Sequence, residues 1–537
     1  MSAIPVWREM GTSPVPTRNA QADAPVLIVG GGPVGLTLAL DLGQKGHDVV
    51  LINRLDFITR GSKAICFAKR TLDIWSRLGV AQTMVEKGVI WNVGKVFCGD
   101  EEDPLYQFDM LPVKGQKNPG FINLQQYHAE EILVDALEKL PNVDIRWGHE
   151  ATMIDQKNDH AIVNIRCDDH SYAIAAKWVI ACDGSRSPLR EMLGLDFEGR
   201  VFEDNFLIAD VKFKEQRPSE RWFWFDPPFN RGQSALLHKQ PDDVWRLDFQ
   251  LGWDIDRDAC ITPENVEPFV RGMIGEDVVF EEEWYSVYTF QCRRMKQFVH
   301  DRVIFAGDSA HLVSPFGARG CNGGVADADN LAWKLDAVLT GRAESDLIAS
   351  YNHEAIVTAD ENILNSSRST DFMTPKSALS CAFRDAVLEL AKDFPFARPF
   401  VNSGRLSVAV SYPDSPLNTA DTANWTGGIA PGSPALDAPL TNGWLLDLLG
   451  NEFVLLINGE PDNGAQSLSK DLRVIDLAQV DDPQGQAATR YDLRPGGAYL
   501  IRPDQYIAGR WHSIDIPAIK KAMVRAHGQV HKEMVEA

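Results

Sequence analysis

Short apolar runs and helically spaced small residues alternate near the start of the chain. Val26–Val29 is a compact apolar run, Val34–Leu42 has the spacing of a small-residue helix, and Val49–Ile52 repeats the strand pattern. Strand, helix and strand in that order predict a βαβ unit in a largely parallel sheet. From about Phe206 to Phe290 the period changes to two, as in Arg221-Trp222-Phe223-Trp224-Phe225 and Val244-Trp245-Arg246-Leu247-Asp248-Phe249. That alternation predicts an antiparallel sheet with one face covered. On a regular strand Trp222 and Trp224 share one face, and Phe223 and Phe225 the other. Val303–Gly307 returns to a buried-strand pattern, and Val325, Ala328, Ala332, Leu335 and Leu339 then define one helical face. Helical patterning runs to about Val401. Pro, Ser, Asp and Thr accumulate from Ser411 to Pro439 as in a connector. Phe453–Ile457 and Ala498–Ile501 beyond it suggest strands of a small, separate α/β unit.

A chain of 537 residues is too long for one core, so two or three domains are expected. The formal charge of −22, from 53 basic and 75 acidic residues, argues against a nucleic-acid or anionic-membrane partner. Pro5, Pro14, Pro16 and Pro25 punctuate the beginning, and residues 1–24 read as a flexible leader and not a signal peptide. The most apolar stretch, Val26–Leu42, holds four glycines, Pro33 and Asp41, which does not suit a membrane span. The eight cysteines are scattered without a CxxC, so zinc-ribbon and dithiol readings lose their support, and a reducing cytoplasm fits best. His527 and His531 lack the glutamate of a zinc-protease helix and read as a solvated face, so no metal is expected.

Three glycine- or aspartate-bearing turns follow strands. Gly30-Gly31-Gly32-Pro33-Val34-Gly35 fits G-x-G-x-x-G. The first glycine permits the tight turn, the second lets a pyrophosphate approach the backbone, and the third allows helix and strand to pack closely. The N–H groups and dipole of the following helix favour phosphates. The acidic residue expected to end the second strand is replaced by Asn53, followed by Arg54. Asn53 can still meet a ribose hydroxyl as a neutral acceptor; Arg54 either stacks on adenine, reaches a phosphate or is solvated. The other two turns are Asp183-Gly184-Ser185-Arg186-Ser187-Pro188-Leu189-Arg190 and Gly307-Asp308-Ser309-Ala310-His311, the latter running on to Gly320, Cys321 and Asn322. Each puts an aspartate past a strand's carboxyl end, where open α/β sheets bind ligands. Taken alone, each could be a turn capped by its aspartate.

In this order, and with Asp327-Ala328-Asp329-Asn330-Leu331-Ala332-Trp333-Lys334-Leu335 after them, the motifs resemble the class A FAD-dependent aromatic hydroxylases. These are the p-hydroxybenzoate-hydroxylase-like flavoprotein monooxygenases, with phenol-hydroxylase-type and 3-(3-hydroxyphenyl)propionate-hydroxylase-type members. The tail segments around Pro431, Gly450 and Leu500 resemble the thioredoxin-like C-terminal domain of phenol-hydroxylase-type members, here without a cysteine beyond Cys381. The resemblance implies an α/β fold with a Rossmann-like FAD-binding domain (25–200 and 291–405) and an inserted antiparallel substrate sheet (201–290). A linker (406–430) and a thioredoxin-like domain (431–537) used for packing or dimerisation complete it. Gly30, Gly32 and Gly35 would hold the diphosphate, Lys63 would replace an arginine near the flavin, and Gln126 would contact the phosphate–ribityl region. Asp183 would lie near the cofactor, with Arg190 shaping the nicotinamide's approach; Asp308 would bind ribityl hydroxyls. Gly320, Cys321 and Asn322 would present N–H groups to the flavin pyrimidine edge. Ala318, Arg319 and Cys321 depart from the common Gly, Gln and Met. Cys321 is either a reactive thiol or a small packed side chain.

The implied chemistry is reduction of FAD by NADH or NADPH, addition of O2 to give a C4a-hydroperoxide, and oxygen transfer to a phenolic or other electron-rich ring. Trp222, Phe223 and Trp224 either line the pocket or pack the core. His238 is a candidate phenol base, and Arg221 and Arg246 are candidate acidic-substrate contacts. A homodimer is compatible with the pattern. Three alternatives remain: a flavin-dependent halogenase, suggested by Trp222-x-Trp224; a serine hydrolase, from Gly307-x-Ser309; and a non-catalytic FAD-binding redox protein.

Overall fold

The computed structural model describes residues 5–16, 22–61, 63–109, 113–214, 217–401, 407–459 and 472–529. Five parallel strands form the centre of the first sheet, in the order Val143–Trp147, Val49–Asn53, Ala22–Val29, His170–Ala181 and Val303–Phe305. Ala161–Cys167 and Glu150–Gln156 extend it antiparallel. Val26, Leu27, Ile28, Val179, Ile180 and Ile304 are fully buried. Helices Pro33–Gln44 and Gly320–Leu339 pack in the same core, which explains strands apolar on both faces. The carboxyl ends of Ala22–Val29, His170–Ala181 and Val303–Phe305 therefore deliver all three motif turns to one edge.

The second sheet has eight strands: His311–Leu312, Glu281–Met295, Phe197–Lys212, Val244–Gln250, Ser234–Lys239, Arg221–Phe225, Val93–Cys98 and Tyr106–Asp109. The expected boundaries of 201–290 need correction, because Val93–Cys98, Tyr106–Asp109 and His311–Leu312 come from outside that range. Arg221–Phe225 also pairs parallel to Val93–Cys98, so the sheet is not wholly antiparallel. Local periodicity carries no information about such distant partners. One face, with Leu207, Ala209, Leu237, Leu247 and Phe249, is covered by helix Pro263–Ile274. The opposite face looks toward the motif loops.

Strands Leu472–Asp476, Phe453–Ile457, Ala498–Ile501 and Ile507–Trp511 form a third sheet, followed by helix Ile516–Ala526. It shares a core with Trp333 and Ala337 of helix Gly320–Leu339. Arg502 joins it to Glu354 of helix Leu347–Met373 through bonds of 2.6 and 3.0 Å, and Glu354 also takes Lys334 at 2.7 Å; all three side chains are wholly buried.

Two expectations for irregular segments fail. Within the supposed leader, Val6–Glu9 pairs with Phe57–Thr59, Trp7 stacks on Tyr127 at 4.4 Å and Arg8 bonds Asp135 at 2.6 Å. The connector is likewise no free linker. Tyr412 is buried, stacks on Tyr506 at 4.8 Å and meets the Thr358 hydroxyl at 2.9 Å. Polar, proline-rich composition marks irregular backbone, which here is packed. His527 is no solvated face either: its ring lies 4.7 Å from that of Phe453, with Nδ1 at 2.9 Å from the Met523 carbonyl, while His531 lies outside the described residues.

Candidate active site

The first loop shows why glycine stands where it does. Gly30 has φ +114°, and a Cβ there would lie 2.2 Å from the Cys182 carbonyl oxygen. A Cβ on Gly35 would lie 2.1 Å from the Gly30 carbonyl oxygen. One on Gly32 would meet nothing within 4 Å, so that glycine is spared for something outside the protein. Asn53 organises this loop: its Oδ1 accepts from Gly31 N–H at 3.1 Å and its Nδ2 donates to the Leu55 carbonyl at 3.0 Å. Arg54 is exposed.

The second and third loops are braced together. Asp183 Oδ2 accepts from Leu189 N–H at 3.1 Å, while its buried Oδ1 has no hydrogen-bond partner among the described residues; burial raises its pKa above the usual carboxylate range, against the pull of Ser187. Arg190 donates to the Ser309 carbonyl and to that of Ser185, each at 2.9 Å. Asp327 Oδ2 accepts from Gly307 N–H at 2.9 Å and lies 2.6 Å from His311 Nε2. Burial opposes charge on His311, but Asp327 outweighs it and holds the pKa above its ordinary value. Asp308 is accessible although protein surrounds it, the signature of a side chain lining a deep cleft; that enclosure raises its pKa against the pull of His311 and Lys63.

Lys63 is exposed and close enough to act electrostatically on both Asp308 and Glu130. Gln126 accepts from Ala64 N–H at 3.1 Å and donates to Glu130 at 2.8 Å, and burial pushes the Glu130 carboxyl up to about 7. The N–H groups of Gly320, Cys321 and Asn322 precede the first bond of their helix, from Gly323 N–H to the Arg319 carbonyl at 2.8 Å, and so are available to a ligand. The Asn322 side chain has a structural task the motif did not reveal. It accepts from Ala68 N–H at 2.8 Å and Thr71 at 2.6 Å, and donates to the Cys66 carbonyl at 2.9 Å. Cys321 is a packed side chain whose thiol pKa is raised by burial, with Asp308 and Glu130 adding to the effect.

Facing these loops is the polar face of the second sheet. Arg221, His238, Arg246 and Asp210 are cross-strand neighbours in one row, with Phe223 and Asp248 on the same face. Arg246 is consumed by Asp210, at 2.8 and 2.7 Å, which corrects its candidacy as a substrate contact. Burial and the nearby Arg221 lower the His238 pKa to about 4, so the imidazole is neutral at pH 7. Asp248 Oδ2 lies 3.1 Å from His238 Nε2, and among the described residues Nδ1 has no hydrogen-bond partner. Arg221 and Phe223 line a small cavity with Phe316, Gly317, Ser369, Met373 and Val401.

Trp222 and Trp224 do not reach that cavity. They lie on the opposite face, in the core under helix Pro263–Ile274, where Phe97 stacks on Trp224 at 5.2 Å. Trp222 and Trp224 thus share one face, and the cavity lies on the side of Phe223. Ser309 is no nucleophile: it is fully buried, and its one hydroxyl proton is held between the Ala181 carbonyl at 2.6 Å and that of Ala306 at 2.9 Å. Asp327 belongs to a motif visible in the sequence, but its pairing with Gly307 and His311 is not, and Cys66, Phe316 and Met373 carry no local signal because each meets partners remote in sequence.

Loops converging on one edge of a parallel sheet, opposite a polar sheet face, define a flavin-dependent aromatic hydroxylase, and the cradle fits FAD. The chain belongs to the FAD binding domain family, whose model matches residues 23–366. It is 27% identical to pentachlorophenol 4-monooxygenase of Sphingobium chlorophenolicum, over 93% of this chain and 96% of that protein. It is 28% identical to the probable NADH-specific resorcinol 4-hydroxylase of Rhodococcus jostii, over 90% and 91%. In fold it is similar to the flavin-dependent monooxygenase PieE in complex with FAD and substrate, with a TM-score of 0.80 at 22% identity over 94% of this chain and 99% of that one.

Proposed function

We propose that this protein hydroxylates a phenolic small molecule with O2 and NADH or NADPH, the ring lying between the cofactor and the polar face of the second sheet. The observation that carries this reading is His238, a buried neutral imidazole on the face opposite the cofactor loops, with Asp248 beside Nε2 and, among the described residues, no partner at Nδ1. The hydroxylase relatives, one of them described as NADH-specific, support the same chemistry.

Gly30, Gly32 and Gly35 would admit the diphosphate, Asp308 the ribityl hydroxyls, and the Gly320–Asn322 N–H groups the flavin pyrimidine edge. Bound FAD would take reducing equivalents from NAD(P)H and supply the oxygen-activating chemistry. The protein's own part is positional and acid–base. His238 Nδ1 is free to accept the phenolic proton, and Asp248 beside Nε2 stabilises the imidazolium that results. Phe223 and Phe316 flank the ring and exclude water. Residues 25–200 with 291–405, apart from the strands Val93–Cys98, Tyr106–Asp109 and His311–Leu312 that join the second sheet, would act as the cofactor domain, and the C-terminal unit as a thioredoxin-like packing domain. Eight unpaired cysteines suit a reducing, cytoplasmic setting.

The test is NAD(P)H oxidation by the purified holoprotein across a panel of phenols, with product analysis. Ring-hydroxylated product is expected. Chlorinated product would favour a halogenase, and no phenol-dependent product would favour a redox protein without turnover.

A further inference from the structure

Helix Ala378–Asp393 carries more apolar positions than it buries. Its inner edge, Val387, Leu388 and Ala391, packs in one core with Phe223, Phe316 and Met373 of the aromatic cavity. A second apolar row, Leu379, Phe383, Ala386 and Leu390, is exposed to solvent. Successive members stand 4, 3 and 4 residues apart, so the row runs as one line along the helix, turned away from the inner edge. The chain just past the helix adds exposed Phe394, Phe396 and Phe400, the first two rings 5.9 Å apart. The six large side chains, between 42% and 81% exposed, present roughly 700 Å2 of apolar surface. A soluble monomer shows at most ~300–600 Å2 in its largest apolar patch, and each partner in a standard interface buries about 800 Å2.

The pattern selects the occupant. A row spaced 4-3-4 is the seam by which one helix packs against another. A helix that lies on a membrane carries lysine and arginine along its polar side. Here the exposed polar positions are Asp385, Glu389, Lys392 and Asp393, on a chain of net charge −22. A helix with a matching seam is present in every second copy of the chain, and a two-fold axis brings identical faces together.

We propose that the Leu379–Leu390 row and the phenylalanines that follow it form the interface of a homodimer, packed against the same face of a second copy. The inference depends on neither the substrate nor the reaction.

The test is the mass of the holoprotein in solution at tens of micromolar, by light scattering coupled to size exclusion and by sedimentation equilibrium. The wild type is expected at twice the 59.7 kDa of one chain. Phe383→Glu with Leu390→Glu should halve that mass while keeping the wild-type melting temperature and bound-FAD absorbance, and Phe383→Leu with Leu390→Met should remain dimeric. Should the glutamate pair fail to fold, Phe383→Ser with Leu390→Ser makes the same comparison. A monomeric wild type overturns the proposal, and its co-sedimentation with phosphatidylcholine vesicles would assign the face to lipid instead. A folded glutamate or serine pair that stays dimeric also overturns it, by placing the interface elsewhere, as on the C-terminal unit.

Discussion

His311 Nε2 and Asp327 Oδ2 lie 2.6 Å apart, both side chains 1% exposed, and bind the third cofactor loop to the helix that follows it. Because the same oxygen accepts from Gly307 N–H, this pair sets where Asp308 enters the cleft. Breaking a buried pair from one side costs about 3–5 kcal/mol. Asp327→Asn should lower the melting temperature and speed FAD release. The His311 pKa is raised, so its contribution is fully present below the ordinary value of 6.5 and is lost as pH rises through the folded value. Melting curves against pH should show that loss in the wild type and not in Asp327→Asn.

His238 titrates in the opposite sense. Its pKa falls from 6.5 to about 4 on folding, so its contribution is present above 6.5 and is lost as pH falls toward 4. That contribution is on the order of 3 kcal/mol by linkage. His238→Asn should flatten the acid side of the stability profile. It should also lower kcat with a phenol of high pKa more than with one already ionised, the comparison that identifies a proton acceptor.

The glycines of the first loop separate folding from cofactor binding. Gly32→Val places its side chain where the protein offers no contact, so the variant should fold with a wild-type circular dichroism spectrum yet retain little FAD. Gly35→Val collides with the Gly30 backbone and should be poorly folded.

Ala318 has φ +52°, a left-handed conformation that glycine adopts freely. Ala318→Gly should leave the melting temperature unchanged or raise it, and Ala318→Val should lower it.

Glu354 receives both Arg502 and Lys334 in a fully buried setting. Glu354→Gln leaves the buried Lys334 without its carboxylate and Arg502 with Asp504 alone, and should cost about 3–5 kcal/mol. The loss should appear as earlier proteolysis at the junction of the C-terminal unit, read by limited digestion.

The cofactor edge was legible in the sequence because its geometry admits few residues: Gly30 and Gly35 have no room for a side chain, and Asp183 and Asp308 follow strand ends. The pocket was legible only by half. Alternation shows that Trp222 and Trp224 share a face opposite Phe223, but which face meets the ligand depends on helix Pro263–Ile274 packing over one of them. Arg221 and Arg246 look alike in the chain, and only the cross-strand position of Asp210 separates a paired cation from an unpaired one. Strand Val93–Cys98 joins Arg221–Phe225 across more than a hundred residues, a pairing no local pattern announces.

The most direct measurement is turnover of the purified yellow protein with a phenol, NAD(P)H and 18O2, followed by mass spectrometry of the product. A hydroxylated ring carrying one 18O atom is the result expected. Hydrogen peroxide as the sole oxygen product with every phenol, or product oxygen drawn only from water, would contradict it.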